Sequence, residues 1–110
     1  MRYISTRGKA PALSFEEVVL TGLASDGGLY VPEHMPSFSH DELAAMAGLP
    51  YSEIAFRVMK PFVGGEVDDE TFRRLIDETY ATFKHDAVVP LKQLSHNHYL
   101  IGFHMHFYVF

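Results

Sequence analysis

A short segment near the start of the chain combines the side chains that bind phosphate. Ser5 and Thr6 offer hydroxyls. Arg7 and Lys9 offer cations, and Gly8 between them lets backbone N–H groups approach a ligand. These are the components of an oxyanion or phosphate site. The same residues could instead fix a loop, with Arg7 paired to an acid and the hydroxyls bonded internally, because the segment lacks the glycine-rich pattern of a P-loop.

A second glycine-containing segment, Asp26-Gly27-Gly28, predicts a turn. Two consecutive glycines permit positive φ angles that other residues adopt rarely. Such a turn could have a functional role, but glycine pairs usually satisfy a requirement of the backbone. We therefore interpret the segment as a structural turn that directs the strand after it.

Four histidines near the end of the chain form two His-x-His pairs, His96 with His98 and His104 with His106. In a strand each pair would project from one face, a spacing that can bind zinc or nickel. No cysteine, aspartate or glutamate follows Asp86, however, and a structural zinc site uses four ligands. We predict solvated or partly buried histidines and no specific metal site.

Acidic residues are adjacent in Glu16-Glu17 and in Asp68-Asp69-Glu70, and paired carboxylates can act in acid–base catalysis. Both groups lie at predicted helix starts, where the helix dipole stabilises acids without any catalytic role. The chain also has no cysteine and no legible Ser/His/Asp arrangement. The sequence therefore disfavours a small enzyme with its own catalytic residues.

The composition is that of one ordinary folded domain. The 110 residues are 47% apolar and 21% charged, enough to enclose a single core. The net charge is −5 and the charges are interspersed, which predicts neither nucleic-acid binding nor a basic membrane patch. No apolar run reaches the ~20 residues of a membrane helix, and the N-terminus lacks the pattern of a secretory signal. We expect a cytoplasmic protein.

Local patterns predict a small α+β domain, mostly helical, with about four helices and one or two short strand pairs. Residues 2–5 and 29–31 favour short strands that could pair with each other. Residues 88–91 are predicted to be extended, and residues 98–103 favour a further strand after a turn.

Capping residues mark the predicted helix ends. Ser14 and Ser39 each precede a glutamate by three residues, which is the pattern of a capping box. The helix after Ser39 should end at Gly48. We expect Ser52 to cap the third helix and Pro61 to end it.

The apolar spacing predicts the buried face of each longer helix. The predicted inward residues are Phe15, Val18, Val19, Gly22 and Leu23 in the first helix; Ile54, Ala55, Val58 and Met59 in the third; and Phe72, Leu75, Ile76, Thr79, Tyr80 and Phe83 in the fourth. The fourth helix has the most regular pattern, and its charged residues lie on the opposite, solvated face.

Two segments, residues 3–8 (YISTRG) and 21–32 (TGLASDGGLYVP), occur in an order and spacing that resemble the N-terminal segment of threonine synthase. Further resembling segments are 14–17 (SFEE), 79–83 (TYATF) and 89–91 (VPL). The resemblance implies the N-terminal domain of a lyase of threonine biosynthesis. That enzyme uses pyridoxal phosphate to convert O-phosphohomoserine to threonine and phosphate.

The resemblance weakens after His85 and ends after Leu100. Threonine synthases continue with a segment close to LELFHGPT and then AFKD, whose lysine forms the Schiff base with pyridoxal phosphate. Here only Phe103-His104 agrees, and the last lysine is Lys92, upstream of that position. The resemblance therefore implies no catalytic or cofactor-binding residue in this chain, no activity of the chain alone, and cofactor domains C-terminal to it in a full-length relative.

We divide the chain into a threonine synthase-like domain, residues 1–103, and a divergent apolar tail, residues 104–110. The tail ends in Phe107, Tyr108, Val109 and Phe110. A patch of this kind favours self-association. The alternative to an N-terminal domain is therefore a stand-alone interaction or dimerisation module. A truncated or frameshifted product and a separately encoded domain are both compatible with this ending.

The resemblance also gives the segment at the start of the chain a possible location. In a full-length relative, the loop that contains Ser5, Thr6, Arg7 and Lys9 would border the active-site entrance or contact phosphate. This expectation rests on the position of the loop and on its side chains.

Overall fold

The computed structural model describes residues 1–83 and 88–101 and confirms the small α+β domain predicted from the sequence. Its helices are α1 (Phe15–Thr21), α2 (His40–Ala44), α3 (Tyr51–Val63) and α4 (Asp69–Tyr80). Its strands are β1 (Tyr3–Ser5), β2 (Tyr30–Pro32), β3 (Leu91–Ser95) and β4 (His98–Ile101). None of the described helices is long and apolar enough to cross a membrane.

β1 and β2 pair antiparallel, as predicted, with Ile4 opposite Val31. Two backbone hydrogen bonds of 2.9 and 3.0 Å between Tyr3 and Leu13 add a further segment to this ribbon. The Tyr3 hydroxyl donates to the carbonyl oxygen of Phe62 at 2.8 Å. The ribbon is therefore fastened to α3 as well as to its own neighbours.

β3 and β4 form a second antiparallel pair, with Leu91 opposite Ile101. Every residue of these two strands is exposed. The strand predicted over 98–103 is confirmed as far as Ile101, and residues 102–110 lie outside the described part of the chain.

Both predicted capping boxes are confirmed. The side chains of Ser14 and Ser39 each accept a hydrogen bond from a backbone N–H three residues on, and the glutamate there accepts one in return. α2 nevertheless ends at Ala44 rather than at Gly48. The reason is that the following N–H groups bond to carbonyls three residues back, so the chain tightens beyond the α-helical geometry.

Both predicted ends of α3 are wrong. Pro50 occupies the N-cap position, no side chain caps the helix, and Ser52 lies inside the first turn. The helix also continues through Pro61 to Val63. A proline in the last turn removes only one hydrogen bond of the helix. The end is set instead by Gly64, whose φ of 70° suits glycine and whose N–H bonds back to the helix.

The core lies at the seam between α3 and α4. The rings of Phe56 and Phe72 pack with their centroids 5.7 Å apart. Ala55, Val63 and Ile76 complete the buried cluster. α3 and α4 also make the most extensive contact between described helices, so this pair provides the main packing of the domain.

Several residues predicted to face inward are exposed. On α3, Val58 and Met59 are exposed because Phe56, which the prediction omitted, occupies the seam. On α4, Phe72 and Ile76 are buried as predicted, but Leu75 is exposed. The spacing identified the apolar side of α3 and α4 correctly, but it predicted more buried residues on that side than the structure has.

The predicted face of α1 is also largely uncovered. Phe15 and Val18 are half-buried, whereas Val19 and Leu23 are exposed, and no residue of α1 is buried. Periodicity shows which residues share one side of a helix. It does not show whether another element covers that side.

Candidate functional site

The loop after β1 and the turn before β2 meet because the two strands are antiparallel neighbours. Ser5 at the end of β1 lies opposite Tyr30 at the start of β2. We refer to residues 6–10 as the front loop and to residues 24–28 as the glycine turn. The fold therefore brings together the two glycine-containing segments that are distinctive in the sequence.

The side chain of Asp26 joins the front loop to the glycine turn. Its carboxylate oxygens accept hydrogen bonds from the Ser5 hydroxyl at 2.7 and 2.8 Å. They also accept hydrogen bonds from the backbone N–H groups of Lys9 at 2.9 Å, Ala10 at 3.0 Å and Gly28 at 2.9 Å. One carboxylate thus fixes the backbone on both sides of the contact.

These hydrogen bonds favour the ionised form of Asp26. The bond from the Ser5 hydroxyl, ahead of those from the backbone N–H groups, lowers the pKa of Asp26 to about 2. A carboxyl group with such a low pKa does not act as a general acid or base near neutral pH. Asp26 is therefore a structural anion that holds the front loop in place.

Both glycines of the predicted turn meet a physical requirement. Gly27 has a φ of 77°, in the left-handed region that favours glycine. Gly28 lies so close to β1 that an added Cβ would be 2.5 Å from the Ser5 Oγ and 3.0 Å from the Asp26 Oδ1. The first glycine serves the backbone conformation and the second permits the close approach of the strand.

Thr6 and Arg7 add further bonds between the same segments. The Thr6 N–H donates to the carbonyl of Leu29 at 2.8 Å, and the Thr6 hydroxyl accepts from the Leu29 N–H at 3.0 Å. The Arg7 guanidinium donates through Nη1 to the backbone carbonyl of Asp26 at 3.1 Å. The partner of Arg7 is therefore a backbone carbonyl of the acidic residue and not its carboxylate.

The four residues predicted to form a phosphate site lie in different environments. Ser5 is only 5% exposed, and its hydroxyl is bonded within the protein. Thr6, Arg7 and Lys9 are exposed. The hydroxyls of Ser5 and Thr6 thus make hydrogen bonds within the protein, as in the alternative interpretation that the segment fixes a loop. The two cations lie at the surface of this loop. An exposed cation pair of this kind can attract an anion but supplies no nucleophile and no base.

The larger grooves of the described residues lie elsewhere. One of about 370 Å³ is formed by α2 and α3, together with Phe38. Another of about 310 Å³ is formed by α1 with Glu66 and Val67. The front loop lines neither of them, so its cations are presented on an open surface.

The acidic groups predicted at helix starts occupy those positions. Glu17 completes the capping box of α1. Asp68 accepts a hydrogen bond from the Thr71 N–H at 2.9 Å, and this bond holds the pKa of Asp68 below its ordinary value. These carboxylates therefore stabilise helices, as the sequence indicated.

The described histidines are at the β3–β4 turn and in β4. His96 and His98 are exposed, and the Nδ1 of His98 lies 2.7 Å from the Ser95 Oγ. Within residues 1–83 and 88–101, no three His, Asp or Glu side chains are arranged to hold a metal ion. His104 and His106 lie outside the described residues.

Sequence reasoning missed the roles of two acids. Asp26 was recognised only as part of a turn, although an aspartate commonly bonds a backbone N–H two residues on, as it does here with Gly28. Glu66 accepts from the N–H groups of Phe15 at 3.2 Å and Glu16 at 2.8 Å, at the start of α1. No local signal could have indicated the second contact, because its partners are about fifty positions apart.

Comparison with known proteins gives consistent similarities over most of the chain. A family model described as the threonine synthase N terminus matches residues 2–80. Threonine synthase of Pseudomonas aeruginosa is 60% identical over 101 residues, which are 92% of this chain and 22% of that protein. Human threonine synthase-like 2 is 36% identical over 95 residues, which are 86% of this chain and 20% of that protein.

The fold has a counterpart among solved structures. The crystal structure of PLP-bound threonine synthase from Brucella melitensis superimposes with a TM-score of 0.85 at 46% identity. The superposition covers 92% of this chain and 22% of that one. The chain thus spans about a fifth of the length of these relatives.

Proposed function

The chain belongs to the threonine synthase N-terminal family, and from that premise we propose that it serves as the N-terminal domain of a threonine synthase. The observation that carries the proposal is the match over residues 2–80, which includes both opening motifs and all four helices. Such an enzyme would form threonine and phosphate from O-phosphohomoserine. This domain would supply part of its structure and not its chemistry.

The described lysines support placing the chemistry outside this domain. Pyridoxal phosphate, present in the Brucella melitensis relative, supplies an electron sink for the substrate, and a lysine of the protein holds the cofactor between turnovers. A lysine in that role is desolvated so that it can lose its proton. Lys9 and Lys92 are exposed, and Lys60 pairs with Asp69. The residues in 1–83 and 88–101 therefore do not fit the cofactor.

The first experiment compares this chain with a full-length chimera. In the chimera, the chain replaces the matching 101 residues of Pseudomonas aeruginosa threonine synthase. Each protein is mixed with pyridoxal phosphate and O-phosphohomoserine, and phosphate release and cofactor absorbance are followed. We expect turnover by the chimera and none by the chain alone.

Two results would contradict the proposal. Turnover by the 110-residue chain, with absorbance of a lysine-bound cofactor, would show that it contains a cofactor site. A folded, cofactor-bound chimera without activity would show that the chain does not replace a threonine synthase N-terminal domain. The unmodified relative provides the positive control.

We also propose that the front loop borders the active site and that its two exposed cations, Arg7 and Lys9, attract the phosphorylated substrate. Hydrogen bonds from Ser5, Lys9 and Ala10 to Asp26 support this role, because they hold the loop in one conformation. A loop whose backbone is already fixed loses less conformational freedom when its cations bind an anion.

The cations can be tested in the chimera with Arg7→Gln and Lys9→Gln. We expect each change to raise KM for O-phosphohomoserine about three- to ten-fold with little change in stability, because an exposed charge is removed and the fold is kept. Arg74→Gln, which removes an exposed cation from α4, is the matched control and should leave KM unchanged. Equal KM values for all three variants would show that the cations of the front loop do not contribute to substrate binding.

Three further expectations remain predictions from the sequence. The boundary at 103/104 and the self-association of Phe107, Tyr108, Val109 and Phe110 fall outside the described residues. Light scattering of the chain with and without residues 104–110 would test whether the tail forms dimers. A cytoplasmic location is likewise an expectation from the sequence.

A further inference from the structure

The seam between α3 and α4 has two flanks of different character. On one flank, Glu53 of α3 pairs with Arg57 of the same helix and with Arg73 of α4. Lys60 of α3 pairs with Asp69 of α4 on this flank as well. These pairs place the protein's own charged side chains along this flank, beside the groove of about 370 Å³ that Phe56, Arg57 and Lys60 also line.

The aromatic core is also covered from this charged flank. The Arg73 guanidinium lies over the Phe56 ring, 3.6 Å from its centroid. The Lys60 ammonium lies 5.7 Å from the same centroid. Cations over an aromatic face are attracted by its negative charge density. On this flank, the Phe56 ring is therefore in contact with cations of the protein itself.

Among residues 1–83 and 88–101, the opposite flank has no ion pairs or cations of this kind over its apolar side chains. Six residues form what we term the open flank: Tyr51, Ile54, Val58, Met59, Leu75 and Thr79. They line two grooves of about 130 and 200 Å³ that share Met59 and Tyr80, so the surface is continuous. Of the residues that the structure describes, no charged side chain lines either groove.

The open flank contains large apolar side chains at the surface. Val58 is 37% exposed, Met59 39% and Leu75 45%. The spacing of these same residues predicts that they face inward. Each helix therefore has an apolar stripe wider than the seam buries, a pattern typical of a helix covered on more than one side. A continuous apolar surface of this kind marks an interaction site.

The part of the chain that follows α4 indicates what would cover the open flank. Every residue of the β3–β4 pair is exposed, and a two-stranded hairpin is marginally stable unless it packs on something. In the relatives this segment belongs to chains of which the match covers only about a fifth. Within the described part of the chain, the open flank and the hairpin are therefore both exposed, and the relatives' chains continue beyond them.

We propose that the open flank is the docking surface for the part of a threonine synthase polypeptide that follows the matched region. The inference rests on the proposed function. A tethered partner docks at high effective concentration, so even a modest apolar surface suffices.

The absence of cysteine from the chain allows a direct test. Val58→Cys and Leu75→Cys place a single thiol on the open flank, and Arg74→Cys places one on the charged side of α4, where Arg74 is exposed. Each variant is treated with a maleimide, both as the 110-residue chain and within the chimera. Mass spectrometry of the peptide that contains the new cysteine gives the labelling rate.

We expect Val58→Cys and Leu75→Cys to label at least about ten-fold more slowly in the chimera than in the chain, because docking excludes the reagent. Arg74→Cys should label at similar rates in both. Equal rates for the open-flank variants in the two proteins would overturn the inference. Protection already present in the chain and rising with its concentration would also overturn it, since a second copy would then cover the flank.

Activity separates this inference from the proposed function. An active chimera with unprotected Val58→Cys and Leu75→Cys leaves the proposed function standing and rejects the docking surface. An inactive but folded chimera in which both positions are protected rejects the proposed function and supports the docking surface. If the chimera is insoluble, the aligned positions of the full-length Pseudomonas aeruginosa enzyme are labelled in the same way, and protection there decides the outcome.

Discussion

The junction of the front loop with the glycine turn and the seam between α3 and α4 are held by different forces. At the junction, the Asp26 carboxylate accepts hydrogen bonds of defined direction from one hydroxyl and three backbone N–H groups. At the seam, Phe56 and Phe72 pack without directional bonds and leave an apolar flank open. The junction is complete with the described residues, whereas the seam can accept more protein.

This difference follows from the chemistry of the two regions. A carboxylate has a limited number of lone pairs, and once they are occupied it has no further capacity for donors. Apolar surface has no such limit, because its burial is favourable in proportion to the area removed from water. A polar junction can therefore be finished locally, while an apolar helix pair extends its packing to any suitable neighbour.

The largest effect should come from the seam. Phe72→Ala removes a buried aromatic ring from the core and should cost about 3–5 kcal/mol of unfolding free energy. For a domain of this size that is a large share of a total of about 5–15 kcal/mol. Urea unfolding of the chain followed by circular dichroism measures the loss.

Leu75→Ala is the matched control for the seam, because Leu75 is on the same helix but on the open flank. Its cost in the chain should stay below about 1 kcal/mol. Equal losses for the two variants would mean that the open flank already contributes to the core of the chain, and the contrast between the two flanks would fail.

A smaller effect should come from the junction. Gly28→Ala places a methyl group 2.5 Å from the Ser5 Oγ and should cost about 1–3 kcal/mol, because neither the strand nor Asp26 can move aside. Gly65→Ala is the control, since an added Cβ there meets no atom within 4 Å. Thermal unfolding of both variants measures the loss of stability. Similar losses for Gly28→Ala and Gly65→Ala would show that the junction can rearrange to accept the added methyl group.

The smallest effect is a pH dependence of the junction. The pKa of Asp26 lies at about 2 in the folded chain, below its ordinary value of 3.8, so its contribution to stability is complete above pH 4. The contribution is lost as the pH falls from about 4 towards 2. Asp26→Asn should be less stable than the parent chain at pH 6, and the difference should shrink towards pH 2.

Comparing Asp26→Asn with the parent chain at each pH isolates this carboxyl group from the other acids. Glu53, Glu66 and Asp68 also have lowered pKa values, but they titrate equally in both proteins. Urea titrations at pH 6, 4 and 2 provide the measurement. A difference in unfolding free energy that stays constant from pH 6 to pH 2 would show that ionisation of Asp26 does not contribute to the stability of the junction.

The features predicted best from the sequence are those set by near neighbours. Ser14 and Ser39 were identified as caps because their partners are three residues away. The pairing of β1 with β2, which α1 separates in the chain, was predicted only as an option, from the residue types of the two short strands. Contacts between distant segments gave no such signal, as with Glu66 at the start of α1.

The errors on the helices have a physical cause as well. Helical spacing placed Val58 and Met59 on the apolar side of α3, which is correct, but it could not show that Phe56 would occupy the seam. That choice depends on the position of α4, which periodicity does not contain. For the same reason the front loop was identified from its residue types, while its attachment to Asp26 was not.

The hydrogen bond from the Tyr3 hydroxyl to the Phe62 carbonyl joins residues 59 positions apart. During synthesis, β1 and β2 can pair once Pro32 is available, but Tyr3 gains its acceptor only after α3 has been made. Tyr3, one of the first residues to be synthesised, therefore forms this hydrogen bond late. Until then the ribbon is held only by contacts within the first 32 residues: its own pairing, the two bonds between Tyr3 and Leu13, and the contacts of Asp26.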